Sequence, residues 1–412
     1  MWFRRLRGGL LVSGIGALLA PLLLMAGGSL AVSGVAPAGA SLAGITVNCP
    51  ADNLQDAINS AAAGSTLLVS GTCTGNFYIV NDLTLSGPAT LDGGGVPTQF
   101  GATLNVISGT VVLNDLVVQD GVGIDGLGGG IWNSGQLTLN HSTVTHNTAF
   151  EIGGVFNMGQ LTLNGSTVSN NTATTYNAGG IFNCGANPGF QYYGLCTGAP
   201  GNLTLNNSTV SNNVGGSGGD GGGIVNDAQA VLTLISSTVS GNATGGNGGG
   251  IENNGTATLN SSNVSGNTAG HSGGGIANNG TATLNKSTVS NNSSTGGSAF
   301  WSGGGGLLNT GPTTLNNSTV SGNTATWLAG GIFAQGPMTI HQSIVTGNSA
   351  GSAGGGMVAW NGPTTVANSA FSNNSDSGFG PDNPPGVWVA PTNFAGFFIN
   401  NPTFTTTHST YS

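Results

Sequence analysis

The sequence predicts an all-β solenoid, a right-handed parallel β-helix of about 12 coils with a helical cap at its N-terminal end. Three observations carry that expectation. A run of glycines leads nine times into one apolar anchor, at Ile131, Val155, Ile181, Ile224, Ile251, Ile276, Leu307, Ile332 and Met357. The gaps between anchors are 24, 26, 43, 27, 25, 31, 25 and 25 residues. After each anchor comes a short apolar-Thr-Leu segment and then a Ser-Thr-Val-Ser-x-Asn element. Self-similarity at a fixed period marks units that bury their apolar face only by stacking on copies of themselves. At about 4.8 Å per coil such a stack runs to about 57 Å.

Within each unit the alternation has period two. Leu137, Leu139 and Val144 are expected to face inward, and Thr138 and Thr143 outward. Two asparagine columns support the register. One follows the anchors by two residues, at Asn133, Asn157, Asn183, Asn226, Asn253, Asn278 and Asn309, and breaks at Ala334 and Ala359. The other is unbroken: Asn147, Asn171, Asn213, Asn242, Asn267, Asn292, Asn323, Asn348 and Asn374. Asparagine tolerates left-handed turns, and its amide can hydrogen-bond to equivalents in neighbouring coils. Glycan attachment is the competing reading, since Asn207-Ser-Thr and Asn242-Ala-Thr fit the acceptor pattern.

The repeats have a family resemblance. A GGGI run followed by a VSxN element resembles the GGAI and FxxN repeats of chlamydial polymorphic outer-membrane proteins. More broadly the chain resembles bacterial right-handed β-helix repeat proteins. The likeness spans roughly residues 128–374, and only Phe371 to Asn374 keeps the family's phenylalanine. It implies the solenoid fold and a role in adhesion at a surface. Those relatives end in a membrane β-barrel, for which the 38 residues after Asn374 are too few.

The remaining segments fit the same organisation. Residues 1–40 read as a signal peptide: Arg4, Arg5 and Arg7, an apolar stretch from Leu10 to Met25, then Ala38-Gly39-Ala40 as a small-x-small cleavage pattern. The alternative is an uncleaved membrane anchor from Gly9 to about Val35. Residues 41–127 are expected to hold the cap and the first irregular coils, with an amphipathic helix from Asp52 or Asn53 to Ala63. Strands are expected over 66–69, 77–80 and 83–85. Residues 128–376 carry the nine regular repeats, and 377–412 read as a C-terminal cap or tail. There Phe379, Trp388, Phe394, Phe397, Phe398 and Phe404 are placed to plug the last coil.

Composition narrows the function. Glycine supplies 77 of 412 residues and charged residues 4%. Removing residues 1–40 leaves one basic side chain, Lys286, against 13 acids, a net charge of −12. Nucleic acid needs clustered Lys and Arg to neutralise phosphates, so it is excluded as a partner, and acidic polysaccharides and anionic membranes are disfavoured. Cys49 and Cys73 lie 24 residues apart, close to one coil, and Cys184 and Cys196 bracket a Gly-, Pro- and Tyr-rich insertion. Two disulfides are expected, with zinc binding as the alternative that lacks a nearby histidine.

No catalytic set is recognisable. Between Gly128 and Asn374 the acids are Glu151, Asp220, Asp227 and Glu252. Asp227 and Glu252 fall near one corner of adjacent coils and could form an acid–base pair, but are expected to be solvated surface charges. His141 and His146 are expected at the surface without a carboxylate column beside them, and no cofactor or metal is implied. What remains is a polar, nearly uncharged array. Thr138, Thr162, Thr204, Thr233, Thr258, Thr283, Thr314, Thr339 and Thr365 occupy one outward position in all nine repeats. Thr143, Thr167, Thr209, Thr238, Thr288 and Thr319 occupy a second, with Asn263, Ile344 and Ala370 as exceptions. The expected function is non-enzymatic: a secreted or cell-surface protein that binds carbohydrate or a cell surface through this face. Polysaccharide degradation by a pectate-lyase-like enzyme and ice binding through the threonine columns are the alternatives.

Overall fold

The computed structural model describes residues 44–98, 102–123, 128–185, 196, 199–296, 302–377, 397–399 and 404–411. The signal-peptide reading of residues 1–40 lies outside them, as do Phe379, Trp388 and Phe394. Every strand pairing is parallel and joins a segment to its equivalent in the coils before and after. The chain is a β-solenoid of about 12 turns, as the repeat predicts, with one helix among the described residues.

Three sheet systems run along the stack. A 24-segment sheet takes two strands from each repeat, such as Gln136–Asn140 and Thr143–Thr145; we call it the threonine sheet. A 12-stranded sheet collects the anchor strands, such as Ile131–Asn133 and Ile251–Asn253; we call it the anchor sheet. Two small sheets of four and six strands hold the corner strands, such as Thr148–Ala149 and Thr268–Ala269.

Each bend has a chemical cause. Between the two strands of the threonine sheet stands a left-handed residue, His141 at φ 48° or Lys286 at φ 51°, and a second ends the next strand, His146 at φ 55° or Asn291 at φ 54°. The glycine run makes the bend into the anchor strand. Gly248 takes φ +63°, and a Cβ on Gly249 would lie 2.4 Å from the Gly274 carbonyl oxygen of the next coil. A Cβ on Gly250 would lie 2.6 Å from the Gly275 carbonyl oxygen and 2.9 Å from Asn267 Nδ2. Coils stack at β-spacing through this bend because nothing projects from it.

The core is one continuous column of anchors, leucines and valines, including Ile251, Leu259 and Val264, each at most 1% exposed. At the N-terminal end α1 (Leu54–Ser60) covers the first coil with Leu54 and Ile58. It is shorter than predicted; the Asn53 side chain caps it by accepting from the Gln55 and Asp56 amides. The early strands run longer than expected, as Ser65–Thr74 and Leu83–Asp92. At the far end, Phe397–Ile399, Phe404–Thr407 and Thr410–Tyr411 pair in register with the preceding coil. Phe397, Phe398 and Phe404 are therefore strand residues of a further coil. Both disulfides form, Cys49–Cys73 with Cα atoms 5.0 Å apart and Cys184–Cys196 with 5.8 Å. No helix among the described residues is long and apolar enough to cross a membrane.

Candidate functional site: two outward faces

The ladders inside the stack set the geometry of everything outside it. Asn267 Nδ2 donates to Asn292 Oδ1 at 2.9 Å and to the Val239 carbonyl at 3.0 Å. Its Oδ1 accepts from Asn242 Nδ2 and from the Asn242 amide, both at 2.9 Å. The pattern repeats from Asn147 to Asn374, every member 7% exposed or less. Asn242 is thus a core residue with no room for a glycan, whereas Asn207 stands exposed at a corner. The anchor-sheet column links Asn133 to Asn157, Asn183, Asn226, Asn253 and Asn278 at 2.6–2.8 Å. It ends where Thr313 hydrogen-bonds to Asn309 and to Asn278.

Two further ladders were not foreseen. Buried serines form one: the Ser262 amide donates to Ser287 Oγ at 3.1 Å, and the Ser287 amide to Ser318 Oγ likewise. Half-buried asparagines on the outside form another: Asn140 donates to Asn114, Asn164 to Asn140 and Asn206 to Asn164, at 2.8–2.9 Å. Both are written in the repeat, as an invariant serine and as an asparagine two residues after the first-column threonine in all repeats but those of Ile235, His341 and Ala367.

On the threonine sheet the nine threonines from Thr138 to Thr365 stand opposite one another in consecutive coils. Thr405 and, on the other side, Val112 and Thr84 continue the column. All nine side chains are half-buried or exposed. Apart from Thr365, which bonds Thr405 at 3.3 Å, their hydroxyls make no intramolecular hydrogen bond among the described residues. The second column is also in register and is broken at Asn263, Ile344 and Ala370. His141 and His146 are exposed at its corners, as expected.

The anchor sheet presents a different surface. One outward residue per coil follows the anchor, giving the column Trp132, Phe156, Phe182, Val225, Glu252, Ala277, Leu308, Phe333 and Val358. Leu328 and Ala353, each four residues before an anchor, fold back and pack with Leu308, Phe333 and Val358. At the other end Trp132 meets Phe156 edge-on with centroids 5.4 Å apart, and Phe156 packs tilted against Phe182 at 5.9 Å.

Into this apolar column the sequence inserts an acid, and here the solvated-charge expectation fails. Glu252 is 3% exposed and Asp227 5%. Asp227 accepts from the Ala228 and Gly185 amides at 2.7 and 3.3 Å. Glu252 Oε1 accepts from Asn279 at 2.6 Å, and its Oε2 has no partner. Asp220 lies on the turn that leads into the Ile224–Asn226 strand, and its Oδ1 accepts from the Asn247 amide at 2.6 Å and from Asn247 Nδ2 at 3.3 Å, on the equivalent turn before the Glu252 strand. Burial raises the Glu252 carboxyl well above the usual carboxylate range; the Asp220 charge adds to this and the Asn279 hydrogen bond opposes it. Glu151, at the same repeat offset as Asp220, is also buried, and desolvation raises it to about 7. No group of three or more His, Cys, Asp or Glu able to hold a metal occurs among the described residues.

No family model matches the chain, and no curated protein or solved structure matches it either.

Proposed function

We propose that the chain is an exported, non-enzymatic solenoid that binds neutral carbohydrate or a cell surface through the outer face of the threonine sheet. One observation carries the reading. The hydroxyls from Thr138 to Thr339 repeat once per coil and have no intramolecular partner among the described residues, while the neighbouring asparagines are committed to one another. A hydroxyl both donates and accepts, which matches the hydroxyls of a neutral saccharide. The ladders fix the spacing before any ligand arrives, so little ordering accompanies binding. The shortage of Lys and Arg turns the face away from phosphates and uronic acids. Two disulfides accord with an oxidising compartment.

The test is binding of purified protein to an array of neutral and acidic glycans and to intact cells. Binding to neutral glycans or cells is expected, and Thr233→Arg with Thr258→Arg should abolish it by placing long charged side chains mid-face. Absence of binding to both would overturn the reading. Ice shaping or thermal hysteresis from the same face would replace carbohydrate with ice. Polysaccharide cleavage lost in Asp227→Asn or Glu252→Gln would replace binding with catalysis.

A further inference from the structure

The outer face of the threonine sheet changes along the stack. Six consecutive coils carry a five-residue first strand: Gln136–Asn140, Gln160–Asn164, Asn202–Asn206, Val231–Ile235, Thr256–Asn260 and Thr281–Asn285. They pair residue for residue, so three outward columns run side by side: the strand's first residue, its threonine and its last residue. The first column reads Gln136, Gln160, Asn202, Val231, Thr256 and Thr281. Its polar side chains are exposed or half-buried and, like the threonine hydroxyls beside them, make no intramolecular hydrogen bond among the described residues. No charged residue occurs in the six strands.

Both ends of this stretch are marked. In the coil before it, Val112 takes the place of the threonine. In the coils after it the strand shortens to four residues, and the exposed Pro312, Pro337 and Pro363 stand ahead of it with no side-chain group to hydrogen-bond. From the first of the six coils to the last is roughly 24 Å, at about 4.8 Å per step. Within that length a free polar side chain stands beside a free hydroxyl in every coil but that of Val231.

A straight, evenly spaced row selects a ligand with a matching repeat. Hydroxyls and side-chain amides both donate and accept, as sugar hydroxyls do. An extended β-1,4-linked glycan advances by close to one β-spacing per ring and shows hydroxyls along both edges of its ribbon, whereas an α-1,4-linked chain of the same sugars coils off a straight line. We propose, resting on the carbohydrate reading above, that this stretch binds an extended, uncharged β-1,4-linked glycan laid along the stack axis. One ring sits on each coil, from Gln136 and Thr138 to Thr281 and Thr283. The amides of Gln136, Gln160 and Asn202 and the row of threonine hydroxyls bond one edge of the ribbon. The interior ladders fix the spacing of the six positions, so each added ring meets a position already formed.

Calorimetric titration of the purified protein with cello- and chito-oligosaccharides of three to six rings tests this, with maltohexaose as the coiled counterpart. Each added ring is expected to tighten binding roughly two- to tenfold, the worth of about one net hydrogen bond. Maltohexaose should bind no better than the three-ring ligands. Gln160→Met together with Thr204→Val keeps side-chain size and removes two polar groups, and should weaken the six-ring ligands roughly tenfold or more at an unchanged unfolding midpoint. The axial arrangement is overturned if affinity is flat from three rings to six in both series, if maltohexaose matches the six-ring β-linked ligands, or if the double variant binds them as the wild type does. Should other neutral glycans or cells still be bound in that event, the broader carbohydrate reading stands without it. Absence of binding to every neutral glycan and to cells removes both.

Discussion

The two long sheets of this solenoid share a backbone plan and differ in what they place outside it. On the threonine sheet, every coil from Thr138 to Thr365 repeats the same outward side chain, and the deviations are single, as at Ile235 and Ile344. On the anchor sheet the outward column changes from aromatic to acidic to aliphatic within a few coils. Uniformity follows from stacking, because threonine packs well on itself and an asparagine amide finds its acceptor in the next copy. Variation must then be tolerated elsewhere, as where Leu328 and Ala353 fold back on the outward anchor column. A repeat protein can thus keep its register on one face while it diversifies another.

The largest effect is expected where register itself is broken. Asn267→Leu removes the acceptor for the Asn242 amide and Nδ2 and the donor to the Val239 carbonyl. With roughly 1–3 kcal/mol for each stranded buried group, a loss of about 4 kcal/mol is expected. Because contacts are nearest-neighbour, hydrogen exchange should show the coils around Asn267 opening first while distant coils keep their protection. Uniform loss of protection along the stack would show that register is held globally. Next comes the glycine corner. Gly250→Ala drives a Cβ against the Gly275 carbonyl oxygen and Asn267 Nδ2, and about 1–3 kcal/mol should be lost in chemical denaturation.

How much of this was legible without coordinates depends on whether a residue repeats. The period, the inward and outward alternation, both interior asparagine columns and the threonine columns are all written as fixed spacings, and the structure places them in register. The pairing of Cys184 with Cys196 followed from their bracketing an insertion. The burial of Glu252 has no such spacing behind it, because a single acid in an outward column leaves no periodic mark in the sequence. The same holds for Glu151 on the turn before the Val155–Asn157 strand.

The acids of the anchor side also give the comparison a pH signature. The folded chain holds the Glu151 proton more tightly than the unfolded chain does, since burial raises this carboxyl from 4.5 to about 7. Between those values the native state binds more protons, so stability falls as pH rises through the window and levels off above it. Glu252 contributes in the same direction. Glu151→Gln should raise the unfolding midpoint at pH 8, leave it nearly unchanged at pH 4.5, and flatten the profile between. A profile as steep as that of the wild type would move the responsible carboxylate elsewhere.

The smallest effect on stability is expected on the face proposed to bind. Thr258 stands between Thr233 and Thr283 with its hydroxyl free of intramolecular bonds, so Thr258→Ala removes a methyl contact and some β propensity but strands no partner. A change within about 0.5 kcal/mol is expected, as for an ordinary surface substitution. Its consequence should appear in binding. A row of equivalent hydroxyls acts multivalently, so loss of one should weaken glycan or cell binding modestly, and loss of Thr233, Thr258 and Thr283 together far more than threefold the single effect. Equal, additive losses would point to independent single-residue contacts. Binding untouched by the triple variant would move the ligand away from the threonine sheet, leaving the anchor sheet, where the outward side chains differ from coil to coil, as the face to search.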